Sequence, residues 1–326
     1  MHPALSIILF STLSGAGFGL GAVLGMTGFP DGSPVLARYP LFAPAMAAIL
    51  LASSGLVCSV FHLRRPARAW RAFSQWKSSW LSREGILSVA AIASLTGLAM
   101  MPRVDSPTVI MLGMAAFILC GLAVFSTAMI YRQLRSVPAW YSALTPLLYV
   151  SFALASGLLA ASVLAAGFSV LAEIQQIYRP VAQLNAINGL ATAAGAGIVL
   201  AWIVQTAWWK RMRRVGMGES TPETATRLEK FGKVRLLESP HTESNYLLDE
   251  MGFVVGRRHA SRLRLLALLF GGLLPITCLG MVQMSDLPSV IDFTILLLAL
   301  IIHLVGVCLS RWLFFAEAQH TVTLYY

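Results

Sequence analysis

The sequence predicts an all-α, polytopic membrane protein with eight transmembrane helices and both termini on the cytoplasmic side. Three observations lead to this fold class: the composition, the number of long apolar segments and the position of the basic residues. Of the 326 residues, 57% are hydrophobic and only 12% are charged. Soluble domains carry about 25% charged residues. The composition therefore indicates a chain that lies largely in lipid.

Eight apolar segments are long enough to cross a bilayer. About 20 helical residues span a hydrocarbon core of roughly 30 Å. Backbone N–H and C=O groups in lipid need partners within the same segment, so each span is predicted to be a helix. Together they predict a single integral-membrane domain over residues 1–326, with spans at 4–29, 41–62, 85–101, 108–131, 143–168, 185–209, 263–284 and 288–315.

The basic residues orient the predicted bundle. An even number of spans places both termini on one side, together with the loops 63–84, 132–142 and 210–262. Of the 24 Lys and Arg residues, all but Arg38, Arg103 and Arg179 fall on that side. Positive charge next to spans is retained in the cytoplasm, so we expect this side to be cytoplasmic. The same asymmetry explains the basic composition better than nucleic-acid binding does.

Small residues in the first span predict close helix packing. Glycines recur at short spacing from Gly15 to Gly25. In lipid, such spacing lets helix backbones approach each other closely. We expect this packing to occur inside the bundle rather than in a homodimer.

The four cysteines all lie within predicted spans and form no CxxC motif. That spacing provides neither a zinc site nor an iron–sulfur cluster. We expect buried free thiols and no metal site. The residues concerned are Cys58, Cys120, Cys278 and Cys308.

The loop 210–262 is the largest predicted segment outside the membrane. Its second part, 231–260, mixes apolar residues with charges of both signs. A solvated linker does not need that apolar content. We therefore expect the loop to dock a partner subunit, with folding back onto the bundle as the alternative.

The stretch between the second and third spans carries a candidate quinone site. His62 closes the second predicted helix and Glu84 opens the third, so both are expected at the same depth on the cytoplasmic side. An imidazole and a carboxylate there could transfer protons between water and a ligand in the membrane. The alternative is an ordinary interfacial loop, with Glu84 as a charge favoured by the helix dipole.

Further residues of this stretch could complete the quinone pocket. Trp76 and Trp80 offer flat apolar walls, and Arg71 and Ser79 offer donors for a carbonyl oxygen. A few polar groups in apolar surroundings are typical of ligand pockets. We therefore predict that His62, Arg71, Trp76, Ser79, Trp80 and Glu84 bind quinone.

His303 is an ionisable residue within the last predicted span, and such residues are functional candidates. We expect it to form an interhelical hydrogen bond. Two axial imidazoles from His62 and His303 could instead ligate a b-type haem. We do not expect haem, because only these two histidines lie at a usable depth.

Several motifs give the chain a resemblance to the membrane anchor subunits of dimethyl sulfoxide reductase-type complexes. The resemblance extends over the whole chain and all eight predicted helices. It rests on the residues 1–4, 12–17, 61–63, 68–70, 79–84 and 311–318. His62, in its Ser-x-x-His-Leu context, and Glu84 match the quinol-site histidine and glutamate of that family.

The resemblance implies a role in electron transfer at the bacterial inner membrane. Anchors of this family hold a four-cluster iron–sulfur subunit and, through it, a molybdopterin catalytic subunit, and they exchange electrons with ubiquinone or menaquinone. The molybdopterin and the clusters belong to the partners. We expect the iron–sulfur subunit to dock on the cytoplasmic face, with Glu84 and His62 transferring protons at the quinone.

Orientation separates two expected functions. A cytoplasmic docking side resembles the sulfite-oxidising complexes of the cytoplasm, in which an anchor passes electrons from sulfite to the quinone pool. The alternative is a quinol-oxidising anchor of a sulfoxide or N-oxide reductase, whose docking side lies outside. A small-solute transporter and a purely structural anchor are further alternatives, although paired broken helices typical of transporters are absent from the sequence.

Overall fold

The structure is a computed structural model and describes residues 4–27, 41–61, 65–101, 106–174, 181–215, 221–235, 237, 258–284 and 287–321. Within these residues there are eight helices long and apolar enough to cross a membrane, and no strand. The predicted all-α class and the number of spans are therefore confirmed. The helices are α1 Leu5–Thr27, α2 Phe42–Val60, α3 Trp80–Ala99, α4 Pro107–Arg132, α5 Leu144–Ile174, α6 Val181–Val215, α7 Ala260–Met284 and α8 Ser289–Ala316.

Among the described residues, two shorter helices lie outside the spans. A 3₁₀ helix, Pro66–Gln75, connects α2 to α3, and the α-helix Pro222–Thr226 follows α6. Thr221 caps the second of these with its side chain, and Pro222 starts the first turn. The predicted docking segment, 231–260, lies mostly outside the described residues.

Three spans differ from the prediction by more than one helical turn at one end or both. Helix α3 begins at Trp80 rather than residue 85, because Ser79 caps it and accepts a hydrogen bond from the Ser82 N–H at 3.5 Å. Helices α5 and α6 end later than expected, at Ile174 and Val215. A helix can continue past the hydrocarbon region, since only its central part must be apolar.

Helix α1 is the central element of the bundle and packs against α2, α4, α5 and α8. Its glycines permit the close contacts. A Cβ on Gly17 would overlap the backbone of Ala52 on α2, and a Cβ on Gly19 would overlap the Ala153 carbonyl on α5. The predicted use of small residues for packing inside the bundle is thus confirmed.

Helices α7 and α8 also approach each other at glycines. A π-helical turn, Leu269–Leu273, interrupts α7 and brings Gly271 against Gly306 of α8. Irregular turns of this kind free backbone carbonyls that would otherwise be bonded along the helix. Within this turn, the carbonyl of Gly271 accepts a hydrogen bond from the imidazole of His303.

Candidate functional site

Glu84 is a buried carboxylate between α3 and α4. Its side chain is 4% exposed, and among the described residues it is the one acidic side chain that is buried within a span. Thr127 of α4 donates a hydrogen bond to Glu84 Oε1, and its hydroxyl also lies 3.1 Å from the Ala123 carbonyl. The Ser79 cap explains this position: because α3 starts at Trp80, Glu84 lies in the second helical turn and faces inward. Glu84 was expected to open the helix, but α3 begins about one turn earlier, at Trp80.

Two of the other predicted quinone-site residues lie at the start of the same helix. Ser79 is the helix cap, so its hydroxyl oxygen is engaged by the backbone. Trp80 is partly buried and packs edge-on against Phe125, with ring centroids 6.1 Å apart. The guanidinium of Arg83 lies 4.4 Å from the centroid of the Trp80 ring. Ser79, Trp80 and Glu84 therefore form one continuous region at the start of α3.

Arg71 and Trp76 lie farther out. Both are exposed, Trp76 to 56%, and Arg71 lies over the ring of Trp70. The linker is attached to α3 through other groups: Ser82 donates to the Ala72 carbonyl, and Arg83 donates to the carbonyls of Trp76 and Lys77. The structure thus does not bring Arg71 and Trp76 against Glu84. His62 lies outside the described residues.

A polar cavity adjoins Thr127 inside the bundle. It has room for about one water molecule. Arg311 of α8 and Tyr149 of α5 line it, with the Arg311 Cζ 3.5 Å from the centre of the Tyr149 ring. The other polar residues that line it are Ser11, Thr12, Ser14, Thr127 and Ser156.

Arg311 is a buried cation that sequence reasoning identified only as part of a motif. It is 3% exposed, and no described carboxylate lies within ion-pair distance of it. Its Nε has no hydrogen-bond partner among the described residues. A charged residue inside a span marks a functional site by default, and that rule could have identified Arg311 from the sequence. Thr127 and Tyr149 gave no comparable signal.

His303 is fully buried between α5, α7 and α8. Its Nδ1 lies 2.7 Å from the Gly271 carbonyl, and its Nε2 lies 3.1 Å from the Ser156 hydroxyl. A carbonyl can only accept, so Nδ1 donates and Nε2 accepts from Ser156. The expected interhelical hydrogen bond is confirmed. Both ring nitrogens of His303 are thus engaged in hydrogen bonds.

Metal-binding side chains do not converge in the part of the chain that the structure describes. No three His, Cys, Asp or Glu residues there lie close enough to hold a metal ion. All four cysteines are free thiols. The described residues of this chain therefore provide no group of side chains that could hold a metal ion.

The chain is thus a multi-pass helical membrane protein with a buried carboxylate near one end of its bundle. Comparison with known proteins gives its family. Residues 1–316 match the family described as DMSO reductase anchor subunit (DmsC). The chain belongs to this family.

A curated relative covers the same length. This relative is one of the subunits of the sulfite dehydrogenase of Allochromatium vinosum. It is 31% identical over 355 aligned positions, which include 100% of this chain and 99% of that protein. The similarity therefore includes every span described above. It also includes the segments outside the described residues, among them His62.

Proposed function

We propose that this protein anchors a molybdopterin- and iron–sulfur-containing oxidoreductase to the bacterial inner membrane and passes electrons from sulfite oxidation to quinone. Membership of the anchor family supports the anchoring role, and the full-length similarity to a sulfite dehydrogenase subunit supports the substrate. The observation that carries the quinone chemistry is Glu84, a buried carboxylate at the end of a span. A transporter function has no comparable support.

The geometry fits a quinone at the edge of the bundle rather than in its interior. The interior cavity has room for about one water molecule and cannot hold a quinone ring. The start of α3 is different, because Trp80 is partly exposed and lies one helical turn from Glu84. In this proposal a quinone ring lies beside Trp80, within reach of the Glu84 carboxyl.

The residues of this chain would hold and move protons while the partner supplies electrons. A bound quinone takes up protons together with electrons when it is reduced. The Glu84 carboxyl can donate a proton and then accept another, and the Thr127 hydroxyl can hydrogen-bond to either form. The closely packed bundle around Glu84 limits access of bulk water. His62 is proposed as the second proton-transfer group.

Partner docking is proposed on the side that carries the basic loops. The chain offers no metal centre within its described residues, so electrons must arrive from a cluster close to the quinone. We therefore propose that the four-cluster iron–sulfur subunit docks near the start of α3, with the molybdopterin subunit attached through it. The apolar residues of 231–260 are proposed as part of that contact.

Affinity purification tests the anchoring proposal. A tagged chain should copurify with subunits that contain molybdenum and iron, and the purified complex should reduce a quinone with sulfite as electron donor. Deleting residues 231–257 should leave the helices in the membrane and release the iron–sulfur subunit into the soluble fraction. Retention of that subunit on the membrane would remove the docking role from this segment.

The family description favours one second candidate, a sulfoxide reductase anchor that oxidises quinol. The two candidates differ in the side on which the catalytic subunits lie. A reporter enzyme that is active only in the periplasm, fused after Tyr326, distinguishes them. An inactive fusion supports the sulfite-oxidising complex, and a strongly active fusion supports the sulfoxide reductase.

A further inference from the structure

The polar cavity between α1, α4, α5 and α8 has a specific hydrogen-bonding character. Serine hydroxyls at its wall have already donated their protons: Ser11 to the Ile8 carbonyl at 3.2 Å and Ser14 to the Phe10 carbonyl at 2.6 Å. These residues therefore offer only oxygen lone pairs to the cavity.

Two more hydroxyls behave in the same way. Ser156 donates to His303 Nε2, since Nδ1 of that ring donates to Gly271. Thr127 donates to Glu84. The wall of the cavity is thus rich in acceptors on the side of α1, α4 and α5.

Two donors also line the cavity, Arg311 from α8 and Tyr149 from α5. Arg311 is a permanent cation whose Nε has no hydrogen-bond partner among the described residues. The Tyr149 hydroxyl interacts with the Arg311 guanidinium, which can only donate, so the phenolic proton is still available to an occupant of the cavity. Both side chains are more than nine-tenths buried and line the cavity. An occupant must therefore accept from Arg311 and donate to the serine and threonine oxygens. A halide can only accept, whereas water can do both and fits the available volume.

We propose that this cavity binds a structural water that connects Arg311 and Tyr149 to Thr127, and that Arg311 thereby acts as a positioning residue for Glu84. Arg311 stabilises the charged carboxylate through the water and the Thr127 hydroxyl. Thr127 suits this role because its hydroxyl oxygen can accept from the water while its proton is donated to Glu84. The quinone role of Glu84 rests on the proposed function, whereas the coupling of Arg311 to Glu84 does not.

The other ionisable groups around this network are few. Tyr131 of α4 and Tyr149 of α5 lie within electrostatic range of both Glu84 and Arg311. Cys308 lies on the same helix as Arg311, and its thiol is 3.5 Å from the Thr12 hydroxyl. His303 contacts the cavity only through Ser156. Among these side chains Arg311 is the permanent cation, so it is the group expected to favour the carboxylate form of Glu84.

Infrared difference spectroscopy of the purified complex tests this coupling without any quinone assay. The C=O band of protonated Glu84 is identified by its disappearance in Glu84→Gln. Thr127→Val should shift that band to higher frequency, because a carboxyl group that loses a hydrogen bond has a stiffer C=O bond. Thr127→Ser should leave the band near its original position.

Arg311 variants test the connection across the water. Arg311→Gln should increase the fraction of Glu84 that is protonated at neutral pH, because a nearby cation favours the carboxylate. Arg311→Lys should retain part of the effect. Tyr149→Phe, which keeps the stacked ring and removes the hydroxyl, should shift the band as well and covers the case in which Arg311→Gln fails to assemble.

Thr96→Val is the matched control. Thr96 donates to the carbonyl four residues earlier, Ile92, at 2.8 Å, as Thr127 can to Ala123. Thr96 is exposed, and on the same helix it lies about 18 Å from Glu84. Its replacement should leave the Glu84 band unchanged. The proposal is overturned if the Arg311 variants and Tyr149→Phe all leave the Glu84 band as in the wild type. Failure of the quinone role would appear separately, as unchanged quinone-linked turnover in Glu84→Gln.

Discussion

Glu84 and His303 are both buried ionisable side chains in membrane-spanning helices, but their surroundings differ. His303 has a fixed partner at each ring nitrogen, and one of them is a backbone carbonyl freed by the π-helical turn of α7. Glu84 has one described side-chain partner, Thr127, whose hydroxyl can rotate. A fully paired group holds helices together, whereas a partly paired group can change its protonation state. The comparison therefore assigns a structural role to the His303 region and a proton-transfer role to the Glu84 region.

The largest expected effect comes from disturbing the backbone contact beside His303. A Cβ on Gly306 would overlap the backbone of Gly271. Gly306→Leu should therefore lower the amount of membrane-inserted protein by about tenfold or more, because overpacking a helix contact costs about 1–3 kcal/mol or more. Gly280→Leu is the control, since a Cβ at Gly280 meets no atom within 4 Å. Equal yields of the two variants in quantitative membrane blots would contradict the close α7–α8 contact.

Removing the imidazole itself should have a smaller effect. His303→Leu leaves the Gly271 carbonyl and the Ser156 hydroxyl without this partner, and an unsatisfied buried group costs about 1–3 kcal/mol. The melting temperature of the purified complex in detergent should fall. Quinone-linked turnover per assembled complex should stay within about twofold of the wild type. A large loss of turnover at normal stability would show that His303 takes part in the quinone reaction, and it would contradict the structural role assigned to this residue.

A third ionisable residue, Glu317, follows the end of α8 and is paired in a different way. Arg264 of α7 donates to its carboxylate, with Nη2 2.6 Å from Oε1. Burial raises the pKa of Glu317, and Arg264 lowers it. Arg264→Gln should therefore raise this pKa further.

The sign of the resulting pH effect follows from proton binding. A folded state with a raised carboxyl pKa binds its proton more tightly than the unfolded state, so stability falls as pH rises through the interval between the two pKa values. As pH rises above the ordinary pKa of a carboxyl group, the melting temperature of Arg264→Gln should decrease more steeply than that of the wild type. Parallel curves for the two proteins would show that Arg264 does not influence Glu317.

The smallest effect is expected at the exposed edge of the Glu84 region. Trp76 is 56% exposed and does not pack against α3 or α4 as Trp80 does. Trp76→Leu should change quinone-linked turnover by no more than about twofold, since substitutions at exposed positions usually change free energies by about 0.5 kcal/mol or less. Trp80→Leu should reduce turnover more. The reverse order in a quinone titration would move the proposed quinone position outward, towards the linker.

The sequence predicted the spans far better than the contacts between them. Eight apolar segments were enough to identify the helices, because lipid permits few other structures. The start of α3 was predicted wrongly, because no change in the apolar pattern marks the cap at Ser79. That single error moved Glu84 from the helix end to the bundle interior. Thr127 could not be found from the sequence, since its meeting with Glu84 depends on the register of two helices.

The described residues of the predicted quinone site do not all lie together in the structure. Aromatic and basic residues in one linker suggested a single pocket, yet the 3₁₀ helix carries Arg71 to the surface while α3 carries Glu84 inward. Arg311 was visible in the sequence as a charge in an apolar span. The residues that line the cavity with Arg311 come from α1, α4 and α5, and only the packed bundle brings them together.

The most direct measurement compares two activities of the purified complex carrying Glu84→Gln. The substitution keeps the size of the side chain and removes its ability to exchange a proton. Quinone-linked sulfite oxidation should fall by about 100-fold, as is typical when a proton-transfer group is lost. Oxidation with a soluble dye as acceptor should remain unchanged, and the same partner proteins should copurify. Quinone-linked turnover equal to that of the wild type would contradict the assignment of proton transfer to Glu84.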